Sequence, residues 1–185
     1  MEKQNGPWTI KASTQKYKNE FIEVIEDSVI NPDKTDGTYA TVQMKPGICI
    51  LAIDDENNVY LTKQFRYALG AESLEVIAGG SEEGSPLENA KREAKEEVGI
   101  EAEEWIDLSS AETDTSIVRS PAHFFIARKL KISEPEREGV EVMKTVKMSF
   151  DEAVEKVLSG EIKHALSGLL ILKAKLKLEL QVNNS

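Results

Sequence analysis

Cysteine is almost absent: Cys49 is the only one in 185 residues. One thiol cannot form an intrachain disulfide, and its setting, Ile-Cys-Ile-Leu-Ala, reads as a buried structural thiol rather than a nucleophile. A reducing, cytoplasmic location fits that usage. Long apolar runs are also missing, none approaching the roughly 20 residues a membrane span requires. Met1 to Pro7 is polar, so no signal peptide and no membrane association are expected. Histidine occurs twice, and His123 and His164 are too far apart for a local metal spacing, so both read as structural. Positive charge is in deficit, with 23 basic against 33 acidic residues and a formal charge of -10. An acidic surface repels nucleic-acid phosphates, which argues against nucleic acid as a partner. A small anionic substrate must therefore be met by a local Arg, Lys or metal ion. Repeats, low-complexity tracts and long linkers are absent as well.

What is present is ordinary for a globular chain, with 40% hydrophobic and 30% charged residues and length enough for a full core. Trp8 to Ala12, Phe21 to Ile30 and Tyr39 to Met44 read as extended, with a turn cluster at Asn31-Pro-Asp-Lys-Thr-Asp-Gly pairing the last two. Ile48 to Ile53 and Val59 to Phe65 flank Asp54-Asp-Glu-Asn-Asn as a second hairpin, and Leu74 to Ile77 leads into a glycine turn. Later, His123 to Ala127 and Val140 to Met148 read as strands. Ser149 with Glu152 opens a helix to Leu158 that Gly160 ends, and Ile162 to Leu180 reads as a final amphipathic helix with Lys on its wet face. Antiparallel hairpins before a central helix imply a layered α/β or α+β sandwich. Residues 1–45 form an N-terminal antiparallel β-hairpin subdomain in this reading, and residues 46–185 the main domain.

The most informative stretch is residues 78–100, Ala-Gly-Gly-Ser-Glu-Glu-Gly-Ser-Pro-Leu-Glu-Asn-Ala-Lys-Arg-Glu-Ala-Lys-Glu-Glu-Val-Gly-Ile. Ser85 is a good N-cap, Pro86 suits the first helical position, Glu88 completes a capping box, and Gly99 is placed to end the helix left-handed. The spacing predicts a helix over Pro86 to Val98 with Leu87, Ala90, Ala94 and Val98 on its apolar face. Glu93 and Glu97 then lie one above the other with Glu96 beside them. Like charges at that spacing repel by a few tenths of a kcal/mol per pair, roughly, and a hard divalent cation reverses the sign. A Glu-rich helix is often only a solvated face, but the capping box, the Arg-Glu and Glu-Glu pairs and the closing Gly together favour a metal site.

The segment resembles the Nudix box, Gly, five free positions, Glu, seven free positions, then Arg-Glu-apolar-x-Glu-Glu-x-Gly-apolar. Arg92, Glu93, Ala94, Glu96, Glu97, Gly99 and Ile100 match its second half, while Gly79 to Arg92 is one position shorter than the pattern. Lys63-Gln-Phe-Arg-Tyr, Leu74-Glu-Val-Ile-Ala-Gly-Gly and Ser159-Gly-Glu-Ile look like the ADP-ribose pyrophosphatase branch.

The resemblance implies a Nudix-type α/β/α sandwich with a mixed sheet, and Mg²⁺-dependent hydrolysis, with Mn²⁺ as a possible substitute, of a nucleoside diphosphate linked to a second moiety. Nucleoside triphosphates or dinucleoside polyphosphates are the alternative substrates, and a nucleotide-binding module without turnover is the alternative class. Glu93, Glu96, Glu97 and the Ala78 carbonyl are the implied metal ligands, and Arg92 orients the carboxylates. Glu141, or alternatively Glu138, in an acidic loop is the implied general base. Arg66 either clamps a phosphate or pairs with Glu75, both being candidate substrate-site residues. Tyr39 and Phe21 are candidates for stacking a base, although burial in the hairpin core is the plainer reading of Phe21. The resemblance further implies a homodimer whose N-terminal strands help build the nucleotide pocket.

Overall fold

The computed structural model describes residues 2–135 and 143–182. The chain runs through β1 (Lys3–Asn5), β2 (Trp8–Lys18), β3 (Ile22–Ile30), β4 (Asp36–Met44), β5 (Gly47–Ile53), β6 (Asn58–Arg66) and β7 (Ala71–Gly80). The helix α1 (Pro86–Val98) is followed by β8 (Ile100–Glu112), β9 (Val118–Arg119), β10 (Pro121–Ile132) and β11 (Met143–Ser149). Two helices follow, α2 (Phe150–Leu158) and α3 (Ala165–Val182).

These elements form two compact units, each with its own sheet. The first takes the chain up to Pro46 and adds Glu112–Pro121. Its five strands lie in the order β1-β2-β3-β4-β9. The β3–β4 hairpin is set by its turn chemistry: the Asn31 amide donates to the Thr35 carbonyl at 2.8 Å, and Asp33 accepts from the Thr35 amide at 3.0 Å. β9 joins in parallel, with Val118 opposite Val42 and Arg119 opposite Gln43.

The second unit comprises Gly47–Ala111 and the chain from Ala122 onward. Its six strands lie in the order β11-β6-β7-β5-β10-β8, and β10 runs parallel to β5 while β5, β6, β7 and β11 pair antiparallel. Side chains alternate across a sheet, so its apolar strands feed two cores. Ile48, Ile50, Ile77 and Phe125 pack with Ala90 and Val98 of α1. Cys49, Leu51, Leu61 and Phe124 pack with Phe150 and Ala153 of α2 and with Leu170, Ile171 and Ala174 of α3. Helices therefore cover both faces of a mixed sheet, the α/β/α arrangement expected from the sequence.

Several expectations need correction. β8 spans 13 residues that the sequence reading left without an element. Its run Glu-Ala-Glu-Glu-Trp on an edge strand of the sheet has a wet face too acidic to look like a strand. β2 continues to Lys18 rather than ending at Ala12, because polar residues such as Ser13 and Gln15 carry it onward in pairing with β3. α3 begins at Ala165 rather than Ile162. Phe21 is not buried: it sits at the β2–β3 connection, 68% exposed.

Candidate active site

The helix α1 is fixed at both ends by its own sequence. The Ser85 hydroxyl accepts from the Glu88 amide at 3.3 Å, and the Glu88 carboxylate accepts from the Ser85 amide at 2.7 Å, so the capping box is complete. Gly99 adopts φ 68° at the other end, where a side chain would run into the Ser133 carbonyl. Asn89, which the sequence reading overlooked, ties the preceding loop to the helix. Its Oδ1 accepts from the Glu82 amide at 3.0 Å, and its Nδ2 donates to the Ser85 carbonyl at 3.1 Å. An Asn in the first turn of a predicted helix, four residues after the N-cap Ser85, where its side chain can bond nearby backbone, was the available signal.

Register places the functional face. β7 delivers Gly79 beneath the middle of α1, and the Glu93 carboxylate lies against the Gly79 backbone so closely that a methyl group there would overlap it. Any residue but glycine at 79 would push this carboxylate out of its seat. Arg92 holds the cluster together: Nη2 meets Glu93 Oε1 at 2.6 Å, Nη1 meets Glu96 Oε2 at 2.6 Å, and Glu82 stands 3.7 Å away. Burial raises the Glu93 carboxyl above its ordinary range, with Arg92 opposing and Glu96 reinforcing the shift. Burial alone would lower the Arg92 pKa, but the fields of Glu93 and Glu96 outweigh it and raise the net value.

Glu97 acts electrostatically on Cys49, as Glu75 does. Burial first, then the fields of Glu75 and Glu97, pushes the Cys49 thiol up to about 12. Cys49 is therefore an inert core thiol, as its sequence setting suggested.

Among the described residues no three His, Cys, Asp or Glu side chains converge into a closed metal cage. Mg²⁺ does not need one, since it is usually bound by one or two carboxylates and completes its shell with waters and substrate phosphates. The donor set here is all oxygen, the Glu93 seat over Gly79 adjoins Ala78, and the excess of carboxylates around Arg92 invites a second cation. The carboxylates of Glu93 and Glu96, drawn together by Arg92, fit a hard divalent ion that takes its remaining ligands elsewhere.

The two readings of Arg66 are resolved as far as its contact: its Nε and Nη2 donate to the Glu75 carboxylate at 3.0 and 2.5 Å. Burial resists ionisation of Glu75, yet hydrogen bonds from Arg66 and from Ser73 overcome it and hold the carboxyl below its ordinary value. Tyr39, in the first unit, donates to the Ser116 carbonyl at 2.6 Å and meets Trp8 edge-on at 5.3 Å between centroids. Both rings line a cavity of about 200 Å³ within that unit, with Asp27, Thr41 and Thr115. Phe21 stands apart from these lining residues. Glu141 and Glu138 lie outside the described residues.

Comparison with known proteins agrees with this geometry. The family model described as the NUDIX domain matches residues 44–166. An ADP-ribose pyrophosphatase of Bacillus subtilis is 27% identical over 173 residues, covering 92% of this chain and 94% of that protein. A methanol dehydrogenase activator of Bacillus methanolicus is 26% identical, covering 83% and 84% respectively. An ADP-ribose pyrophosphatase of Mycobacterium tuberculosis is 29% identical, covering 74% and 69%. A crystal structure of an ADP compounds hydrolase superposes with a TM-score of 0.83 over 97% of this chain and 98% of that one, at 18% identity, and so speaks for the fold. Hydrolases of this family work with a divalent metal ion, and the box carboxylates that the match takes in are those gathered around Arg92 and Gly79: the chain belongs to the Nudix family and is a pyrophosphohydrolase of that family.

Proposed function

We propose that this enzyme is a Mg²⁺-dependent hydrolase of the pyrophosphate bond in a nucleoside diphosphate linked to a second moiety. ADP-ribose is the first candidate substrate and other nucleotide sugars are the next. The products are then a nucleoside monophosphate and the phosphorylated second moiety. The observation that carries the reading is the Glu93 carboxylate seated on Gly79 under the Arg92 clamp, in a chain whose relatives include two ADP-ribose pyrophosphatases.

A divalent ion, when bound, would supply charge neutralisation at the pyrophosphate and would lower the pKa of water. The protein's own contribution is positional. Glu93, Glu96, Glu97 and the Ala78 carbonyl would hold the ion; Arg92 spaces Glu93 and Glu96, and Gly79 leaves room for the Glu93 carboxylate. Arg66 meets a substrate phosphate with a planar guanidinium already oriented by Glu75. Glu141 takes the proton of the attacking water, a contribution of typically 100- to 10,000-fold for a positioned base, on the order of magnitude. Tyr39 stacks the base, with Phe21 as the second aromatic candidate, in a cytoplasmic homodimer to which residues 1–45 contribute.

Incubating the pure protein with Mg²⁺ and a panel of nucleotide sugars, dinucleotides and triphosphates, with products identified by mass, tests the reading. ADP-ribose giving AMP and ribose 5-phosphate supports it. Turnover confined to triphosphates, or saturable binding with no product, defeats it.

A further inference from the structure

One face of the five-stranded sheet in the first unit carries two buried polar side chains that the described residues leave short of partners. Asp27 on β3 and Thr41 on β4 are each only 9% exposed. The Asp27 carboxylate receives one hydrogen bond, from the Ser13 hydroxyl to Oδ1 at 2.5 Å, and among the described residues no donor reaches Oδ2. The Thr41 hydroxyl has no hydrogen bond among them either. Both residues line the cavity of about 200 Å³ that the Trp8 and Tyr39 rings also wall. Arg119 lines the same cavity but forms no ion pair with Asp27.

Register brings these groups together. Asp27 stands directly opposite Tyr39 in the β3–β4 ladder, and Thr41 lies two residues beyond Tyr39, so all three side chains leave the sheet on one face. Diagonal neighbours in such a ladder are roughly 7 to 8 Å apart, a gap that one heterocycle closes with a hydrogen bond at each end. Buried polar groups in folded proteins are almost always hydrogen-bonded, and two neighbouring exceptions on one cavity wall mark where a ligand brings the partners. Their chemistry says which partners. An ionised carboxylate only accepts, so Oδ2 requires a donor, whereas the Thr41 hydroxyl rotates to donate or accept. A donor next to an acceptor is the edge of an amino-bearing base, as in adenine, whose N6 amine adjoins a ring nitrogen.

We propose that Asp27 is a specificity-determining residue for the nucleobase: its Oδ2 accepts from the exocyclic amine of a base stacked on Tyr39. Thr41 supplies the donor for the ring nitrogen beside that amine. The cavity thereby selects an amino-bearing base, adenine first. This rests on the reading of Tyr39 as the stacking platform.

Steady-state kinetics with Mg²⁺ and two substrates test it: ADP-ribose, and its analogue with hydrogen in place of the 6-amine. The wild-type enzyme is expected to lose on the order of 10- to 100-fold in kcat/KM on the analogue, with the loss in KM, the value of one hydrogen bond to a charged group. In Asp27→Asn the amide oxygen keeps the Ser13 hydrogen bond and the NH₂ takes the place of Oδ2, so size is kept and the acceptor is gone. This variant is expected to weaken on ADP-ribose at least as far and to treat the two substrates alike, because both changes remove one and the same contact. A wild-type enzyme indifferent to the amine overturns the proposal, and that comparison depends on no variant folding. An Asp27→Asn enzyme that keeps the wild-type preference overturns it too. Tyr39→Ala separates the two ways of failing. If it raises KM for ADP-ribose while the wild-type enzyme ignores the amine, the stacking reading stands and the proposal alone falls; if it leaves KM unchanged, both fall.

Discussion

Gly79→Ala isolates the geometry of the site from its chemistry, because it adds one methyl group and removes no functional atom. The methyl would overlap the Glu93 carboxylate, the far end of a flexible side chain. The cheapest response is for that carboxylate to swing away rather than for β7 to move. The fold therefore tolerates the change at a cost of about 1 kcal/mol, the lower end for overpacking a filled site. Catalysis is less forgiving, since a displacement of about 1 Å in a positioned group costs on the order of 100-fold, or about 2.7 kcal/mol of barrier. Gly80→Ala is the control, since nothing lies within 4 Å of a side chain added there. Urea unfolding and steady-state kinetics with ADP-ribose and Mg²⁺ would be run on both variants. The expected outcome is near-native stability for both, with kcat/KM collapsing for Gly79→Ala only. A Gly79→Ala enzyme with native kcat/KM would show that the seat of Glu93 on the strand has no part in turnover.

Gly99→Ala is expected to destabilise the protein by about 2 kcal/mol or more in urea, since a side chain at φ 68° would strike the Ser133 carbonyl, a backbone atom that cannot step aside. Tyr39→Ala is expected to raise KM by roughly tenfold, the value of stacking on a base, with urea stability measured alongside to separate lost stacking from a loosened Trp8 contact. Below pH 6.5 the unfolded chain takes up a proton that folded His164 resists, because burial lowers its pKa. Stability contributed by this group is thus full above 6.5 and is lost as the pH falls toward the lowered folded value. His164→Asn should flatten that part of the stability–pH profile, and an unchanged slope would show that His164 does not titrate differently in the two states.

Legibility from the sequence followed the range of the forces at work. Everything that shapes α1 is local: Ser85 and Glu88 three residues apart, Pro86 between them, Gly99 at the end, so its bounds were readable before any fold was known. Arg66 and Glu75 are nine residues apart on neighbouring strands, near enough to suggest a pair and too far to prove one. The hydrogen bond from the Val76 amide to the Ser167 hydroxyl spans ninety-one residues and left no pattern to find. β9, two residues long and parallel to a strand far back in the chain, was invisible for the same reason. Phe21 was misjudged because an aromatic next to a strand is usually inward, whereas the hairpin closes before it: Asn19 accepts from the amides of Phe21 and Ile22 and leaves the ring outside.

The central claim is that the carboxylates of α1, Glu93, Glu96 and Glu97, carry the chemistry. The most direct measurement compares wild-type protein and Glu97→Gln at saturating Mg²⁺ and ADP-ribose, following AMP and ribose 5-phosphate by mass and checking the fold by its thermal transition. Glu97→Gln keeps the size of the side chain and removes its charge. The account predicts both products from the wild-type protein, and from the variant a kcat lower by at least about 100-fold, KM little changed, and an intact fold. A folded Glu97→Gln protein with near-native kcat would contradict it.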